Sequence, residues 1–304
     1  MKRLLLTTLI LTTALSFIPQ APAHAGFWAD YKAKIEYKKD LRNEQKKLEN
    51  VINTQLKYSN SHNLEGLSTL YTADFMNNDG YNKKLYMSLV QDTWDTYSDI
   101  TYDAVIEEME IDNNFATITT RETAVATVTS NEDVIEATGE LYSRGKCIYY
   151  LTKVGEDWKI RAEQILEEKT SLKYGDARYT DIDLISPNQV PAGSEYSASL
   201  KLDLPKEDIV IASIGKERMV YPQVKCEEVF RKLPEDQVLE RVFRANTDNL
   251  NEYTVASVGI TKAEPASDTT VRVYMSGLAI LMTRVNIIPQ NNFIKFEEKD
   301  AEKI

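Results

Sequence analysis

This 304-residue chain is poor in the residues that many catalytic centres require. It carries 2 cysteines and 2 histidines. His24 falls in an N-terminal segment treated below, so the rest of the chain has only His62, in the polar stretch Ser61-His62-Asn63. Ser-His-Asp and Cys-His nucleophilic sets need a histidine base held beside the nucleophile. Zinc sites draw several Cys or His ligands from short spacings, and no Cys-x-x-Cys occurs. No glycine-rich phosphate loop is present. No metal and no cofactor is therefore expected. Basic charge is also short: 36 Lys and Arg against 47 Asp and Glu give a formal net charge of −11. Without a basic cluster, nucleic acid and anionic membrane surfaces are disfavoured as partners. No stretch after the N-terminus is long and apolar enough to span a bilayer; Gly277 to Ile288 comes nearest, and Arg284 and Asn286 interrupt it.

The N-terminus reads as an export signal. Lys2 and Arg3 precede the apolar run Leu4 to Ile18, and Ala23-His24-Ala25 is a small-x-small cleavage site. Residues 1–25 are expected to be removed, leaving Gly26 first; an uncleaved anchor is the alternative. No Cys follows the run, which disfavours a lipid anchor. The expected destination is the periplasm or the medium, as a soluble protein. Cys147 and Cys226 leave two readings open in an exported chain, a disulfide or two buried free thiols.

Trp28 to Ser59 reads as one helix, with apolar positions near the 3.6-residue period and a charged, solvated middle from Glu36 to Lys47. Asn63 is placed to cap a short helix over Leu64 to Tyr71. Asn77-Asn78-Asp79-Gly80 is a turn, because these residues tolerate positive φ. Asn82 begins a third helix with a stripe of Leu85, Tyr86, Leu89, Val90, Trp94 and Tyr97. The period then shifts to two: strands are expected at Ile100–Ile111, Phe115–Thr129, Val134–Thr152 and Trp158–Leu166. Helices followed by antiparallel strands imply an α+β domain with the helices on one face of a curved sheet.

That order resembles the nuclear transport factor 2-like superfamily, the cone also seen in SnoaL-like and ketosteroid-isomerase-like proteins. The residues that carry the resemblance are Asn63-Leu64-Glu65-Gly66-Leu67, Leu70-Tyr71, Asp74-Phe75, Asp79-Gly80-Tyr81, the helix to Trp94, and the hairpin Gly155-Glu156-Asp157-Trp158-Lys159-Ile160. It covers Lys47 to Glu168. The superfamily includes isomerases, dehydratases and non-catalytic binding modules, so the resemblance implies a fold and leaves function open.

Ser171 to Ala177 reads as a linker. Beyond it, short strands separated by turns (Tyr179–Ile185, Tyr196–Leu202, Ile209–Ile214, Met219–Tyr221, Val238–Ala245, Tyr253–Ile260, Val271–Tyr274, Leu278–Val285) suggest an all-β, loosely immunoglobulin-like sandwich. The expected organisation is thus a signal at 1–25, a cone domain at 26–174, a β-sandwich at 175–290 and a disordered tail at 291–304.

Alternation along Phe115–Thr129 puts Ala116, Ile118, Thr120, Glu122, Ala124 and Ala126 on one side. If that side is concave, Glu122 is a carboxylate facing an apolar interior, suited to act as a general base; pairing with Arg144 is the structural alternative. Tyr58, Tyr71, Phe75, Tyr86, Trp94 and Tyr149 complete the candidate pocket, against a reading of these aromatics as core. Asp74 and Asp79 read as capping and turn residues. The opposite face, with Val125, Tyr142, Ile148 and Tyr150, could dimerise or dock a partner. The leading functional reading is an exported, non-catalytic protein that binds a small apolar ligand or a protein. The alternatives are a dehydratase- or isomerase-type enzyme using Glu122, and a structural envelope component.

Overall fold

The computed structural model describes residues 25–129, 137–204, 209–222, 228–267 and 269–290. The expected signal through His24, Cys226 and the expected tail lie outside the described residues. The chain divides into two units, 1–46 and 47–304. In the first, the described residues belong to helix α1 (Ala25–Asn60), on which Tyr31 and Ile35 are exposed.

In the second unit, α1 buries Leu48, Val51 and Ile52 in the core of the cone. Helices α2 (Leu64–Thr69) and α3 (Lys83–Thr96) start where asparagine side chains accept orphan backbone N–H groups. Asn63 Oδ1 accepts from Gly66 at 2.8 Å and Asn82 Oδ1 from Leu85 at 3.0 Å, each cap contributing about 1 kcal/mol. The second helix ends earlier than its apolar residues suggest. Tyr71 begins strand β1 (Tyr71–Asn77), which lies parallel to a strand far along the chain, with Tyr71 opposite Ile160 and Asn77 opposite Glu163.

Strands β2 (Thr101–Asp112), β3 (Phe115–Thr129), β4 (Thr138–Val154) and β5 (Asp157–Gly175) form an antiparallel meander. The alternation read along β3 is the burial pattern observed: Ala116, Ile118, Thr120 and Ala126 are buried, while Arg121 and Val125 are exposed. Elements 47–168 thus form helices on a large antiparallel sheet, consistent with the cone.

The C-terminal part departs from a free-standing sandwich. The stretch read as a linker is the end of β5 and a 3-10 turn at Asp176–Tyr179. It is followed by β6 (Asp181–Ile185), β7 (Gln189–Pro191), β8 (Glu195–Asp203), β9 (Ile209–Arg218), β10 (Arg231–Lys232), β11 (Val238–Arg244), β12 (Glu252–Ser267) and β13 (Thr270–Ile288). One ten-stranded sheet runs β10-β9-β12-β13-β5-β4-β3-β2, with β1 and β7 off this path. The reason is the length of β5: one edge of its first half pairs with β1, and its last turn of sequence, Lys169 to Gly175, pairs with Thr283 to Gly277 of β13. The close crossing there requires glycine, since a Cβ on Gly277 would stand 2.6 Å from the Ala177 backbone nitrogen. Strands β11, β8 and β6 form a separate three-stranded sheet, whose Leu184, Leu200 and Phe243 share one core with Ile214, Val258 and Leu281 of the large sheet.

Asp79 sits in the expected turn and is also a clamp. Its side chain is 1% exposed and pairs with Arg284, which is fully buried, on β13. Asn251 Nδ2 donates to Asp79 at 2.8 Å, and Tyr253 donates to Glu168 at 2.6 Å beside the same guanidinium. The arginine that interrupts the apolar run Gly277–Ile288 therefore pins the β1–α3 loop to β13.

Candidate functional site

Beneath the helices lies a partly open pocket of about 110 Å³. Its shape follows from strand register. On β3, Glu122 lies opposite Ala104 of β2 and Gly145 of β4, so small residues flank the carboxylate on both sides. Arg144 lies opposite Thr123, one position off, and does not pair with Glu122. Helix α1 supplies Gln55 to the wall, α3 supplies Tyr86 and Trp94, and β4 supplies Tyr149.

Of the residues expected at the pocket, Tyr71, Tyr86, Trp94, Glu122 and Tyr149 line the cavity. Phe75 and Tyr58 do not. Phe75 is 1% exposed and packs edge-on to the rings of Tyr71 and Tyr86, so it is core. The Tyr58 ring lies over Gly66, where an added Cβ would stand 2.7 Å from it. Asp74 sits on the exterior beside Arg161 at 3.3 Å. Cys147 is a buried free thiol.

The polar groups are wired together. Gln55 Nε2 donates to the Tyr71 hydroxyl at 3.0 Å and to the Tyr149 hydroxyl at 3.2 Å. Tyr149 donates to Glu122 Oε1 at 2.8 Å, and Thr120 Oγ1 donates to the same oxygen at 2.7 Å. Both donors fall on Oε1. Burial first, and then the nearby glutamates, hold the phenols of Tyr71, Tyr86 and Tyr149 well above their usual range, so they remain donors.

Sequence reasoning missed a second carboxyl. Glu163 on β5 lies directly opposite Tyr149 and is 5% exposed. Strict alternation from the buried Trp158 and Ile160 would turn Glu163 outward. A β-bulge intervenes: Ile160 pairs with Leu151 and Ala162 with Tyr150, so Arg161 is an extra residue and the side-chain phase flips. Burial, reinforced by the charges of Glu122 and Asp79, pushes the Glu163 carboxyl up to about 8. Its Oε2 has no hydrogen-bond partner among the described residues, and neither has the indole Nε1 of Trp94. Glu122 and the phenols of Tyr71, Tyr86 and Tyr149 line the small pocket, groups able to hold a polar ligand or move a proton, while Glu163 lies behind Tyr149 and is not among the lining residues.

No protein-family model and no curated protein matches the sequence. Among solved structures, Bd1075 of Bdellovibrio bacteriovorus is similar at 18% identity over 40% of this chain and 40% of its own, with a TM-score of 0.33. The hexachlorocyclohexane dehydrochlorinase LinA-type3 of Novosphingobium barchaimii aligns at 10% identity over 41% of this chain and 87% of its own, TM-score 0.34. Over 40% of its length, at 14% identity and a TM-score of 0.33, this chain is similar to a nuclear transport factor 2-like superfamily protein of Salmonella enterica, of which 91% is covered.

Proposed function

We propose that this is an exported binding protein whose cone holds one small ligand against Glu122. The observation that carries the reading is the partly open pocket of about 110 Å³ with a hydrogen-bonded carboxylate on its wall. Its size limits the occupant: a dry cavity of about 150 Å³ takes benzene, whereas drug-sized pockets run to several hundred Å³. The part of the ligand held inside is therefore no larger than a single ring. The test is native mass spectrometry of the purified protein. One small-molecule adduct is expected on the unmodified chain and none on Ala104→Trp, which fills the chamber. An adduct retained by the filled variant, or absent from both, overturns the reading. The C-terminal half then serves as a docking or spacing module, and the exposed Val125, Tyr142 and Tyr150 offer an outer sheet face for a partner or a second copy. Sedimentation would reveal the second copy as a dimer that Tyr142→Lys dissociates; a monomer at all concentrations argues against it.

Glu163 favours a second reading, a dehydratase- or isomerase-type enzyme. A protonated acid across the strand from Tyr149, with Glu122 as base, could support enolisation of a small ketone. Exchange of the α-hydrogens of cyclohexanone in D₂O, followed by NMR, would be expected with the unmodified protein and lost in Glu122→Gln. A rate no faster than buffer would sink the enzyme reading.

A further inference from the structure

We infer that the cone's ligand is a small organic cation, an ammonium on a compact apolar body. This rests on the chamber reading above and deepens it. The inference comes from what lines the space and from what is absent there. Aromatic side chains dominate the wall: Tyr71, Tyr86, Trp94, Tyr102 and Tyr149. Glu122 supplies the one carboxylate in its interior, and the exposed Asp103 adds a second acid at the rim. No Lys, Arg or His is among the lining residues.

A carboxylate in an aromatic enclosure without a cation of its own is electrostatically incomplete. Glu122 is part-buried, and carboxylates withdrawn from water are ordinarily paired, as the more deeply buried Asp79 is with Arg284 in this same chain. Glu122 is instead met by two neutral hydroxyls, both on one oxygen. A carboxylate among the lining residues can accept from an ammonium, and aromatic walls attract the same cation through their ring quadrupoles. An anionic ligand would meet repulsion from Glu122 and find no basic residue to receive it.

Three probes of nearly one shape and different charge test this by calorimetric titration of the full chain: tert-butylammonium, tert-butanol and pivalate. The cation is expected to bind at least tenfold more tightly than the alcohol, with pivalate not binding. Glu122→Gln should erase the difference between cation and alcohol, and its far-UV circular dichroism reports whether it folds. Should it not fold, the three-probe series on the unmodified protein decides alone. If cation and alcohol bind equally, or pivalate binds best, the charge assignment is overturned while the chamber stands. If no probe binds at millimolar concentration, the chamber reading falls with it.

Discussion

Each half of the second unit buries a glutamate, and the two are treated differently. In the C-terminal half Glu252 is fully buried, and it receives Lys216 Nζ at 2.9 Å, the Tyr196 hydroxyl at 3.1 Å, and the Asn246 backbone and side-chain nitrogens at 3.1 and 2.8 Å. In the cone Glu163 is almost as deeply buried, but its Oε2 has no partner among the described residues, and the like charges of Glu122 and Asp79 outweigh the opposing charge of Arg284. A buried carboxylate that is fully satisfied stabilises a unique structure; one left partly satisfied costs stability, and marks where a ligand or a proton has work to do. The contrast separates scaffold from chamber within one continuous sheet.

The comparison is broken most severely at the clamp between the two halves. Arg284→Met leaves Asp79 buried without its cation and is expected to cost about 3–5 kcal/mol in urea unfolding. The double variant Arg284→Met/Asp79→Leu should recover much of that loss, and no recovery would mean that the guanidinium acts through other contacts.

Next comes the pH dependence of Glu163. Its native carboxyl titrates at about 8 against an ordinary value of 4.5. Between those values the native state holds a proton that the unfolded state has lost. The group's contribution to stability is therefore fully present below about 4.5 and is lost as pH rises towards about 8. Glu163→Gln, neutral throughout, should gain on the unmodified protein by an amount on the order of 3 kcal/mol between pH 4.5 and 8. Parallel thermal melting curves for the two proteins across that window would contradict the burial argument.

Glu252→Gln tests the satisfied partner in the comparison. It keeps an acceptor but loses the charge opposite Lys216, with an expected cost of about 1.5–3 kcal/mol and no change in the pH profile that Glu163 imposes. The smallest effect belongs to Tyr149→Phe. Loss of its hydrogen bond to Glu122 should cost about 1 kcal/mol, read from the denaturation midpoint; a loss as large as that of Arg284→Met would show that Tyr149 anchors the scaffold rather than the chamber.

What could be read in the sequence was local. Asn63 and Asn82 announce helices because a short polar side chain before an apolar stripe caps orphan amides. Residues Phe115 to Thr129 announce a strand, and the inward side of Glu122, because side chains alternate. The indole and phenols of the third helix and fourth strand could be proposed as pocket residues on the same grounds, although Phe75 and Tyr58 turned out to pack elsewhere. What escaped was non-local. Strand β1 is short and polar in parts, and it exists because β5 offers it an edge. The linker expected at Ser171–Ala177 is strand because β13 arrives to pair with it. That Asp79, a turn residue as read, also holds an ion pair escaped because Arg284, its partner, is 205 positions away.

The sequence by itself determined the α+β order, the helix starts and the side of β3 that carries Glu122, since periods and caps act within a few residues. Only the tertiary structure decided that one sheet runs through both halves, that Asp79 is a buried ion-pair partner, and that Glu163 faces inward. Each of these depends on strand register and on bulges such as the one at Arg161, where a single extra residue reverses the side-chain faces until the next bulge, at Leu166, restores them.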